Sequence, residues 1–322
     1  MMNREYRKEI RSCLQSIRYR EDEPVSRWTS VGVTSGGKRG ERVAVRIRTL
    51  KYNPRVEEQI RGELAKQFNE DDADVQHTGP VLSLPLRETI KANGKLRVGS
   101  SISLVNSRVG TLGFFARCRK DPTLIGFVSA NHVIGGQDGA QQTDAILHPG
   151  GSLYGQRVGT FVRSVPLGGG GEKYVDCAFA QLEPELLANN MVDWSTLPDG
   201  GKLAAKPAKI IATDMKVIKY SDVSSVSTGV VTSPDQDDFR MHYRPEVGLV
   251  FFDNQIEIES DDERMFSQSG DSGSLLTNGN HEPVGLLFAH TIQGGKKKNG
   301  LAYANPIREV LNRLDVDIYT GP

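Results

Sequence analysis

Apolar positions give the chain two textures. Over the first hundred residues they are spaced among many charges. Between 4 and 20, Ile10, Leu14 and Ile17 recur at helical intervals, which predicts an amphipathic helix. The stretch 42–50 alternates instead, so Val43, Val45, Ile47 and Thr49 are expected on one face of a strand. Asn53-Pro54 opens a predicted helix to about Phe68, and 74–79 reads as a further short strand. Together these predict a small α+β unit of the β-α-β kind over 1–97.

From about Val98 the pattern becomes short β-rich runs broken by glycine and proline turns, as in an all-β barrel or sandwich. Strands are expected at 101–105, 110–117, 124–129, 145–148, 155–165 and 174–182, enough for a first barrel over 98–186. Asn189-Asn190, Trp194-Ser195 and Asp199-Gly200-Gly201 mark a connector over 187–204. A second set follows at 215–220, 226–232, 248–252, 255–259, 273–277 and 283–291. Asn305-Pro306 then starts a closing helix with Ile307, Val310, Leu311 and Leu314 at helical spacing, which completes a second barrel unit over 205–322.

Composition narrows the function classes. A chain of 322 residues is expected to hold two or three compact units. Its 40 basic and 40 acidic residues balance, which removes the electrostatic footprint of a general nucleic-acid or membrane-surface binder. Cys13, Cys118 and Cys177 lie far apart with no C-x-x-C pair, so neither a disulfide framework nor a cysteine zinc site is expected. The opening residues are charged with no apolar run behind them, and no stretch reaches membrane-spanning length. The expectation is a soluble cytoplasmic protein.

The residues able to do chemistry fall into three motifs. Acyl transfer to water needs a nucleophile, a base titrating near neutrality, a group that orients the base, and donors for an oxyanion. Ser272 lies in Gly270-Asp271-Ser272-Gly273-Ser274, whose glycines permit a tight turn that exposes the hydroxyl and aims the Gly270 and Ser272 amides at one point. His132 ends the apolar run Gly126-Phe-Val-Ser-Ala-Asn-His132, where a strand would leave the core. Asp176 is a carboxylate within the apolar Tyr174-Val-Asp-Cys-Ala-Phe-Ala, and a buried acid needs a partner. Each motif alone has an ordinary structural explanation; their coincidence is what points to catalysis.

Ser129-Ala-Asn-His132, Val175-Asp176-Cys-Ala-Phe and Gly270-Asp-Ser272-Gly resemble the three motifs of chymotrypsin-like serine peptidases, in that family's order, over about residues 98–322. The resemblance implies a mainly β, double Greek-key barrel with its active site between barrels. It implies His132 as general base and acid, Asp176 as its orienter, Ser272 as nucleophile, and the Gly270 and Ser272 amides as oxyanion donors. No metal or organic cofactor is called for. The expected partner is a protein or peptide substrate, with a regulatory partner conceivable at the N-terminal unit. The rival reading is a catalytically silent binding or scaffold module on the same fold; a third is an esterase-like hydrolase.

Three departures from that family stand out. Secreted relatives pair the acid before the nucleophile, here Asp271, with an N-terminus freed by cleavage, and no activation sequence is visible. Asp271 is therefore expected either to be satisfied locally or to fall under control of the N-terminal unit. Phe288 stands where the family has a serine that helps hold the triad acid, so Asp176 is expected to depend on His132 and on amides near Ala130 and His132. Phe266 occupies the pocket position that carries an acid in enzymes cutting after Lys or Arg, and His290 falls near the pocket wall. Two further runs carry weaker signals: 32–38 lacks the Ser or Thr of a phosphate-binding loop and is rejected, and 294–300 reads as a basic hairpin tip, a solvated turn with substrate contact as the alternative because it follows the strand lining the pocket.

Overall fold

A computed structural model describes residues 4–20, 23–36, 41–49, 51–68, 72–81, 94–152, 155–168 and 175–322. The beginning of the expected 174–182 strand and most of the glycine run 168–171 lie outside these residues.

The N-terminal unit contains the expected β-α-β element. The strand Glu41–Ile47 pairs in parallel with Ala73–His77 through the helix Pro54–Gln67. Asn53 caps that helix, its side-chain oxygen accepting from the Arg55 amide at 3.1 Å. A strand that alternation does not reveal, Thr29–Ser35, pairs antiparallel on the other side of Glu41–Ile47. The helix Arg4–Ser16 closes the layer, and Ile10 and Leu14 join Val56, Ile60, Leu64, Val43, Val45 and Val75 in one core. The helix is shorter than 4–20 because 18–20 form a strand. Glu41–Ile47 is buried on both faces, since Ala44 and Arg46 turn toward the second barrel rather than to water.

That second face carries an ion pair. Arg46 and Glu257 are 2% and 0% exposed and meet through Arg46 Nη2 and Glu257 Oε1 at 2.8 Å. Thr232 Oγ1 and Tyr303 Oη donate to the same carboxylate at 2.9 Å each, and Asp74 takes Arg46 Nη1 at 2.9 Å. The buried charges are thus hydrogen-bonded on both sides, as burial requires. They pin the N-terminal unit to the second barrel.

The remaining chain is mainly β. The first sheet runs, in spatial order, Val316–Ile318, Phe114–Cys118, Ile125–Ser129, Ala178–Leu182, Gln156–Ser164, Ala145–His148, Ser101–Leu104 and Gly110–Thr111. It curls around Phe115, Phe127, Ile134, Ile146 and Ala180 but remains an open half-barrel. The expected strand 110–117 is broken in two, and the edge strand Val316–Ile318 comes from the far end of the chain. The second unit is a closed six-stranded barrel: Lys216–Lys219, Ser227–Gln236, Gln255–Ser260, Ala302–Pro306, Pro283–His290 and Leu275–Thr277. Its fourth member, Ala302–Pro306, had no expected counterpart. The 248–252 run leaves the barrel altogether, because Leu249–Phe252 pairs only with Phe239–His242 in a separate hairpin. The closing helix Ile307–Leu314 buries the four apolar residues expected of it. Among the described residues no helix is long and apolar enough to cross a membrane.

Candidate active site

His132 sits where Ile125–Ser129 ends and the chain makes one π-helical turn, Asn131–Gly135, stopped by Gly136 in the left-handed region at φ 58°. Asn131, fully buried, fixes that turn by donating to Asp138 Oδ1 at 2.7 Å and to the Val165 carbonyl at 2.9 Å. Asp138 in turn accepts the Leu167 and Gly168 amides at 2.7 and 2.9 Å. The loop acid thereby ties the histidine turn to the segment leading toward Asp176.

Asp176 precedes the strand Ala178–Leu182 rather than lying in the middle of one. Its own amide donates to Asn305 Oδ1 at 2.9 Å, which anchors it to the second barrel. One carboxylate oxygen accepts the His132 amide at 3.1 Å, and the other lies 2.6 Å from His132 Nδ1. Burial works against ionisation of Asp176, but the charge and hydrogen bond of His132 and the donors around it hold the carboxyl below its ordinary range. An ionised carboxylate only accepts, so Nδ1 carries the shared hydrogen, and in the neutral imidazole Nε2 is the acceptor.

A further donor to Asp176 is Tyr243, a residue the sequence did not single out. Its hydroxyl donates to Asp176 Oδ2 at 2.6 Å. Burial, the charge of Asp176 and this bond all push the phenol well above its ordinary range, so it stays protonated. The expectation that Asp176 rests on amides near Ala130 and His132 is therefore corrected: the His132 amide contributes and Tyr243 supplies the further bond. Tyr243 follows an unremarkable alternating run, and only tertiary packing brings it across to the first sheet.

Ser272 is held against the histidine motif by backbone. Thr111 N donates to the Ser272 carbonyl at 2.8 Å, Thr111 Oγ1 donates to the Gly270 carbonyl at 2.9 Å, and Ser129 Oγ donates to the Thr111 carbonyl at 2.7 Å. Gly270 and Gly273 both have φ of 93°, which favours glycine. At Gly273 a Cβ would also run into Ser129 Oγ and the Thr111 carbonyl. Among the described residues the amides of Gly270 and Ser272 donate no hydrogen bond. Ser272 Oγ donates to the Phe288 carbonyl at 3.4 Å and is not hydrogen-bonded to His132.

Asp271 is paired locally through one carboxylate oxygen, while its Oδ1 has no hydrogen-bond partner among the described residues. Its Oδ2 accepts Lys219 Nζ at 2.5 Å, Ser224 Oγ at 2.6 Å and the Gln268 amide at 2.8 Å. Burial depresses the Lys219 ammonium below its usual range, and Asp271 offsets this only in part. Phe266 is buried with Lys219 Nζ 5.8 Å from its ring centroid. His290 is buried too; desolvation lowers its imidazole pKa against the opposing charge of Asp271, so it is neutral near pH 7. Of the other histidines, His77 bonds the Thr49 carbonyl, His148 the Ser101 carbonyl and His281 Asp199, all structural contacts.

The architecture is one closed barrel and one open half-barrel, with these motifs brought together where the two meet. No family model matches the chain, and no curated protein does. Among solved structures it is similar to Thermobifida fusca Protease A at 16% identity and a TM-score of 0.47. It is similar to Cellulomonas bogoriensis chymotrypsin at 17% and 0.46, and to a glutamic-acid-specific serine protease described as using a histidine triad in substrate binding at 18% and 0.49. Each comparison covers 70% of this chain and 100% of the other. At such identities and scores, the roles of individual residues have to come from the geometry.

Proposed function

We propose that the chain is a serine endopeptidase in which Ser272 attacks, His132 is base and then acid, and Asp176 orients the imidazole. The observation that supports this best is the 2.6 Å bond between His132 Nδ1 and Asp176 Oδ2, which leaves Nε2 as an acceptor beside a serine loop bonded to the same strand ends. In this reading Ser272 Oγ turns from the Phe288 carbonyl toward Nε2 when substrate binds. The proton passes to Nε2 as Oγ adds to the scissile carbonyl, and the developing oxyanion is met by the Gly270 and Ser272 amides. Collapse expels the amine, protonated by His132, and water repeats the cycle on the acyl-enzyme.

Protein or peptide substrates follow from this reading. Cleavage after Lys or Arg is disfavoured, since Phe266 stands where an acid would be needed and a lysine ammonium lies beside it. The silent-module reading draws its support from the Ser272–Phe288 bond, in which the hydroxyl is turned away from the base. A fluorophosphonate probe decides between them. Labelling of the full chain that disappears in Ser272→Ala and drops sharply in His132→Ala is expected; a folded, unmodified chain that never labels would sink the catalytic reading.

A further inference from the structure

The hairpin formed by Phe239–His242 and Leu249–Phe252 touches the N-terminal unit at one end and the His–Asp pair at the other. At its root Asp237 and Val31 exchange backbone hydrogen bonds at 2.8 and 3.1 Å. Arg11 meets Asp238 at 2.6 Å and lies 3.8 Å from Asp253, one residue past the second strand. Arg240 donates to the Ser26 carbonyl at 3.0 Å, and the Arg48 guanidinium lies 5.3 Å from the centroid of Phe239. The first strand and the root of the hairpin are thus set from the N-terminal side. At the far end, Tyr243 reaches Asp176, and the Arg244 amide donates to the Gln137 side chain at 2.6 Å in the loop following His132. Between the two ends, Phe239, Met241, Val250 and Phe252 are buried in one cluster with Phe288 and Tyr303, so the hairpin is backed by packed side chains.

Resting on the triad reading above, we infer that Tyr243 is a positioning residue for Asp176 and that the N-terminal unit sets Tyr243 through this hairpin. Asp176 Oδ2 is shared by two donors, the His132 imidazole and the Tyr243 hydroxyl, while the other oxygen takes one amide. The phenol defines the direction of the carboxylate plane. Without it, the plane is fixed from the histidine side alone, and the imidazole loses its fixed partner. The serine that commonly supplies such a bond is replaced by Phe288, whose carbonyl and ring are engaged elsewhere. The donor sits on an element that the N-terminal unit and the barrel hold at its root and along its length.

Tyr243→Phe in the full chain tests the first half, because it keeps the ring and removes only the hydroxyl. The expected result is a kcat about ten- to a hundredfold lower, the loss of one hydrogen bond to a charged group, with KM within about twofold. The proton resonance of His132 Nδ1–H should be displaced as well, a signature that loss of packing elsewhere would not produce. Arg11→Ala/Arg240→Ala tests the second half: it should move kcat and the resonance the same way, and add little when built on Tyr243→Phe. An unmoved resonance with unchanged kcat in Tyr243→Phe overturns the proposal. A response to Tyr243→Phe with none to the arginine pair overturns the part played by the N-terminal unit. A parent chain without turnover refutes the triad reading alone, since the resonance still reports whether Tyr243 and the N-terminal unit hold Asp176.

Discussion

Lys219 and Asp271 form an ion pair closed to solvent, 2.5 Å apart and 1% and 0% exposed, immediately before Ser272 in the chain. The pair ties the strand Lys216–Lys219 to the loop that carries Ser272.

Removing one partner of that pair strands the other charge in the interior. Lys219→Met is expected to cost about 3–5 kcal/mol. Lys219→Met/Asp271→Asn should recover a large part of this, read from urea unfolding midpoints. A single variant as stable as the parent would show that the pair does not hold the loop.

The Arg46–Glu257 pair predicts a parallel result at a distance from the site. Arg46→Met leaves Glu257 buried with Thr232 and Tyr303 as its side-chain donors among the described residues and should destabilise by about 3–5 kcal/mol. Because Arg46 joins two units, protease nicking within 1–97 should accelerate in this variant. Equal nicking rates would place the strength of that junction elsewhere.

Acid should loosen the same junction. Burial opposes ionisation of Glu257 and Asp74, yet Arg46, joined by Arg48 and Thr232 at Glu257 and by Gln76 and Arg42 at Asp74, holds both carboxyls below their ordinary values. Groups depressed on folding lend stability that is complete above their unfolded-state pKa, about 4, and is lost as pH falls through the lower folded-state values. The thermal midpoint should therefore drop between about pH 5 and pH 3. The drop should be shallower in Arg46→Met, and identical slopes would argue against this assignment.

Gly273→Ala sets a methyl group against Ser129 Oγ and the Thr111 carbonyl at a φ of 93°. Strain of this kind costs about 1–3 kcal/mol before any steric repair, and the repair would move the serine loop off the strand that leads to His132. Loss of probe labelling should therefore exceed the loss of stability. Full labelling would mean that the loop tolerates the shift.

What the sequence revealed was local. Helix Pro54–Gln67 carries its own cap and periodicity, the closing helix its own stripe, and the three chemical motifs their own glycines and apolar runs. Thr29–Ser35 escaped because Val31, Gly32 and Val33 are all buried, which erases the alternation that marks a half-exposed strand. Ala302–Pro306 escaped for the same reason. Tyr243 and Lys219 were invisible because their partners lie 67 and 52 residues away. Nothing near a tyrosine or a lysine in sequence announces a carboxylate that tertiary folding will deliver.

The edge strand Val316–Ile318, paired with Phe114–Cys118 in the half-barrel, means that the chain returns to its first barrel after completing its second. The barrels are therefore stitched twice, once through 187–204 and once through the tail that follows the closing helix. A single cut in the connector should leave two pieces that migrate together under native conditions and part only in denaturant. Trimming the last seven or so residues would instead unzip one rim of the half-barrel and expose Phe114–Cys118 as a bare sheet edge, an invitation to self-association.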